Sequence, residues 1–76
     1  MRMKAENRHM ISGMAMVLAE IARPSGQNEP TTAANLIAGF GLDLAEFQAA
    51  GVDSYDLDVI VDLFRDEYVL RPAKVA

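Results

Sequence analysis

The chain contains no cysteine and a single histidine, His9. Without thiols, neither a disulfide framework nor a thiolate metal site can reinforce a small core. Ser12, Ser25 and Ser54 are potential nucleophiles, but no Gly-x-Ser-x-Gly surrounds them and His9 is their only conceivable base. Basic residues are also scarce: seven Lys and Arg stand against eleven Asp and Glu, a net charge of −4. That balance argues against a direct nucleic-acid binder, which presents a basic face. No apolar run reaches the ~20 residues that cross a bilayer. Arg2, Lys4 and Arg8 ahead of an apolar stretch imitate the start of a signal peptide. Glu6 interrupts that start, Glu20 falls where a cleavage region would lie, and no A-x-A follows. The expectation is a soluble cytoplasmic protein, with no membrane partner and no direct nucleic-acid partner. No stretch alternates polar and apolar residues with period two for long enough to make a strand.

Helical periodicity is what remains, and the expected fold is all-α, a compact bundle of three to four short helices in one domain, residues 1–76. The ends, about 1–5 and 71–76, are expected to fray. From Glu6 to Ala22, Met10, Met14, Val17, Leu18 and Ile21 recur at helical spacing. Arg23-Pro24 stops that helix, because proline cannot continue the ladder and restricts the residue before it. A second helix starts near Pro30-Thr31-Thr32 and offers Ala33, Leu36, Ile37 and Phe40 to the core. Gly39 or Gly41 then ends it, one of them in the left-handed cap conformation. Two helix starts follow in succession. Asp43 with Glu46 has capping-box spacing, and Asp53 with Asp56 is a weaker copy. They open a short helix over about 44–50 and a longer one over about 54–69, the latter with a stripe of Leu57, Ile60, Val61, Phe64 and Tyr68.

Several patterns imitate chemistry without completing it. Glu6-x-x-His9 is half of a di-iron ligand set whose other half is missing from the chain. Gly39-Phe40-Gly41 lacks the third glycine and the preceding strand of a dinucleotide fingerprint. Asp53-x-x-Asp56-x-Asp58 lacks the central glycine and distant glutamate of a calcium loop. The segment from Thr32 to Ile60 has a helix-turn-helix outline, but Leu44–Ala50 carries Glu46 and no base, so phosphates would repel it. No catalytic residue, metal or cofactor is expected.

Charge is divided along the chain. Residues 1–23 carry four bases and two acids, whereas 24–67 hold nine acids and one base, Arg65. Asp58, Asp62 and Asp66 recur every fourth residue. With Asp56 and Glu67 they form an anionic row, expected to solvate one helix face or to meet a basic surface on a partner. For so small and apolar a chain, burial against other proteins is a natural way to cover surface. The small residues on the first helix suit either a core helix touching two neighbours of its own chain or a homo-oligomer seam; the seam is expected at Met10, Met14, Ala15, Leu18 and Ala19, where methionine adapts and alanine permits close approach.

The Met- and Ala-rich opening helix, AEIARP, and then TTAANLIAGFGLDLAEFQAAGVDSYDLD resemble, in size, acidity and cadence, small helical proteins encoded by phages and prophages. The anti-CRISPR proteins are among these. The resemblance implies a non-enzymatic inhibitor or accessory protein that occludes a basic, nucleic-acid-handling surface of a host complex. It carries over no particular residue. Two alternatives stand beside it: a small transcriptional regulator or antitoxin using Arg2, Lys4, Arg8 and Arg23, and a structural phage component.

Overall fold

A computed structural model describes residues 5–66 and 68–69. Four helices follow one another: α1 (Ala5–Ala22), α2 (Pro30–Phe40), α3 (Leu44–Ala49) and α4 (Ser54–Arg65). Among the described residues there is no strand, and no helix is long and apolar enough to cross a membrane. The fold is all-α. The expected fraying falls almost wholly on residues outside the described ones.

α1 is the axis of the bundle and packs against each of the other three helices, while α3 packs on α4. Its buried face is Ile11, Ala15, Leu18, Ala19 and Ala22. This corrects the expected stripe of Met10, Met14, Val17, Leu18 and Ile21 by about one residue, or ~100° of helix rotation. The reason is volume. A helix with three neighbours needs small side chains where they converge, and alanines on α1 meet a core that also holds Ala33, Ala34 and Ala50. Met14 and Ile21 are left half-covered at the edge, and Met10 and Val17 lie outside. Ala15, Leu18 and Ala19, expected at an oligomer seam, are therefore buried within their own chain.

The same substitution of small for large occurs on α2, which buries Ala33, Ala34 and Ile37 but exposes Leu36 and Phe40. The bulk of the core comes from Ile37, Phe47 and Ile60, each fully enclosed. Phe47 meets Phe64 edge to face, with ring centroids 6.5 Å apart, an arrangement that suits the ring quadrupoles.

The helix ends follow the sequence closely. Gly41 adopts the left-handed conformation at φ 69°. Its N–H donates to the Ala38 carbonyl, and that of Leu42 to Ile37, closing α2 with the paired bonds of a Schellman motif. Asp43 completes its capping box: its carboxylate accepts from the Glu46 N–H at 2.9 Å, and Glu46 accepts from the Asp43 N–H at 3.1 Å. The seven residues between α1 and α2 are polar but ordered by the backbone. The N–H groups of Gln27, Asn28 and Glu29 donate to the carbonyls of Glu20, Arg23 and Ile21; those of Glu20 and Ile21 are groups that the last turn of α1 leaves open. α4 stops at Arg65, short of the expected 69, because the Val69 N–H turns back onto the Leu63 carbonyl at 3.1 Å and buries Val69. Leu63, absent from the expected stripe, is buried instead of Tyr68.

Candidate functional site

The acids of α4 lie on two faces of the helix. Ile60 and Leu63 anchor the inward face, with Leu57, Val59 and Phe64 packed beside them. At 100° per residue, Asp58 then projects opposite that face, with Asp62 and Asp66 stepping progressively round toward its side, and all three are exposed. Four residues of helix, ~6 Å at 1.5 Å per residue, separate each carboxylate from the next. Arg65 shares this face. Its guanidinium donates to Asp62 and lies 3.7 Å from Asp66, whereas among the described residues Asp58 has no ion pair. Three acids and one base leave an exposed strip of net negative charge. Glu67, expected to extend it, lies outside the described residues.

Asp56 behaves differently and does not belong to the strip. Its side chain is 13% exposed and accepts a 3.0 Å hydrogen bond from Nη2 of Arg23, itself 13% exposed. The Arg23 guanidinium also lies over the Tyr55 ring, 4.0 Å from its centroid, and Nη1 stands 3.9 Å from Glu20. Residues 33 apart in sequence thus join the end of α1 to the start of α4. Each charge suits its place, a cation just past a helix C-terminus and an anion in a first turn. Asp53 caps α4 by accepting from the Tyr55 N–H at 3.1 Å. Asp56 does not reach back to complete a box, because its carboxylate is engaged by Arg23. Sequence reasoning missed this clamp and placed Arg23 among candidate DNA-contacting bases. A usable signal was present: a base next to the proline that ends one helix, and an acid in the first turn of another.

His9 and Glu6 are both exposed on the first turns of α1, and among the described residues no group of three or more His, Cys, Asp or Glu converges to hold a metal. Ser25 and Ser54 are exposed, Ser12 is half-buried, and no hydrogen bond among the described residues joins any of them to His9. Of the residues expected at an oligomer seam, only Met10 is largely exposed and Met14 partly so. Met16, on the face from which the seam was argued, is exposed, and so is Val17, which was assigned to the core.

No family model, no curated protein and no solved structure matches the chain. The functional reading therefore rests on the chain's own chemistry.

Proposed function

We propose that this chain is a non-enzymatic interaction module that lays the outward face of α4 on a basic surface of a larger protein complex. The observation that supports this reading is the division of acids on that helix. Asp56 is held inward by Arg23, while Asp58, Asp62 and Asp66 face solvent at four-residue intervals. The inward acid serves the fold, and the outward row is left for contact. Such a row matches Arg and Lys side chains that otherwise hold nucleic-acid phosphates, and occupying them blocks that surface. Its complementary charge speeds encounter and rejects acidic partners more than it adds affinity. An inhibitor or accessory protein of phage type, acting inside a bacterial cell, is the setting that fits. The rival use of Arg2, Lys4, Arg8 and Arg23 on DNA loses one base, since Arg23 is committed to Asp56, Glu20 and Tyr55.

Immobilised protein incubated with bacterial lysate tests the proposal. The expected result is retention of a nucleic-acid-handling complex that added duplex DNA displaces and that rising salt releases, because exposed charges are screened over ~10 Å at 0.1 M. Retention that neither DNA nor salt diminishes would reject the acidic face as the contact.

A further inference from the structure

Tyr55 is 64% exposed although one face of its ring is already covered by the Arg23 guanidinium, 4.0 Å from the centroid. So large an exposure with one face covered leaves the other face open to solvent. The ring is also held in place. Arg23 is itself fixed by its 3.0 Å bond to Asp56 and by Glu20, so the tyrosine has little freedom left to lose when a second group settles on it. Its position ties it to the outward acids. Tyr55, Asp58 and Asp62 stand at i, i+3 and i+7, which sets the ring at the head of that row and beside Asp58 on the helix surface. The chain shows what such a pair can hold. On the covered face a guanidinium stacks on the ring and donates to a neighbouring α4 carboxylate, that of Asp56. The open face and the exposed Asp58 offer the same two kinds of contact.

We infer that Tyr55 makes α4 selective for arginine over lysine on its basic partner: a partner guanidinium stacks on the open face of the ring and donates to Asp58. This rests on α4 being the contact face and adds which side chain that face prefers. A guanidinium is planar and weakly hydrated, so it can stack and donate from its edge at once. An ammonium is a compact, strongly hydrated point charge that gains little from a flat ring. Charge around the ring favours a cation even with Arg23 beneath it. Asp53, Asp56 and Asp58 flank Tyr55 in the chain and Glu20 stands beside Arg23, four acids to one base. A cation over an exposed aromatic face is worth about two- to fivefold in affinity. The acids of the row thus bring either base to the helix, and the tyrosine discriminates between them.

Oligo-arginine and oligo-lysine peptides of equal length and charge, titrated calorimetrically into the full chain at low salt, read the preference. The arginine peptide is expected to bind about two- to fivefold more tightly than the lysine peptide. Tyr55→Phe keeps an aromatic face and should keep that ratio. Tyr55→Leu keeps bulk beneath Arg23 but no ring, and should bring the two affinities together while the helical circular dichroism stays unchanged. Asp58→Lys, Asp62→Lys and Asp66→Lys combined should weaken both peptides alike. Equal affinities in the parent protein, or a ratio that survives Tyr55→Leu, overturn the selectivity and leave the acidic face standing. Binding of both peptides that is indifferent to the triple substitution, or no binding of either, overturns the contact face and the selectivity with it.

Discussion

Arg23 and Arg65 each touch two carboxylates, but their surroundings give the contacts different work. Arg23 and its partner Asp56 are each 13% exposed, and the bond between them ties α1 to α4. Arg65 is 67% exposed, and its partners Asp62 and Asp66 are neighbours on its own helix. A pair withdrawn from water is costly to break singly, because the remaining charge is stranded. A pair in water contributes little, since solvent replaces either partner. One helix thus carries a structural acid and a row of solvated acids only two residues away, and their roles are separable by mutation.

The largest effect that sharpens this contrast is expected from Arg23→Ala. It leaves the half-buried Asp56 carboxylate without its donor and should lower stability by about 1–3 kcal/mol, read as a lower urea midpoint at unchanged slope. Replacing both partners, Arg23→Met with Asp56→Leu, should recover much of that loss. If Arg23→Ala costs no more than a surface change, the two arginines are equivalent and the contrast fails. Helix caps come next. Asp43→Ala, which breaks a complete box, should cost about 1 kcal/mol, and Asp53→Ala, which breaks only half of one, should cost less. Tyr55→Ala removes the ring beneath Arg23 and should cost about 0.5–1 kcal/mol in the same denaturation series. Arg65→Ala stands at the bottom, within about 0.5 kcal/mol of the parent protein.

The polar punctuation of this fold was readable because it is local. Asp43 and Glu46, Arg23-Pro24 and Gly41 act on backbone groups within a few residues, so their spacing alone carries the outcome. Which face of each helix turns inward was less legible. Ranking residues by hydrophobicity favours Met10, Met14 and Val17, while close convergence of helices favours Ala15, Ala19 and Ala22, and size decided it. Leu36 and Phe40 were misplaced for the same reason. The outward position of Asp58, Asp62 and Asp66 followed from periodicity. The removal of Asp56 from their row did not, because it depends on a contact across 33 residues that only the assembled bundle makes.

The division of acids on α4 is tested most directly by Asp58→Lys, Asp62→Lys and Asp66→Lys combined, compared with the parent protein for retention of lysate proteins in parallel with helical circular dichroism. The account predicts an unchanged helical signal and the loss of the DNA-displaceable complex. The same proteins retained in the same yield by both forms would contradict it.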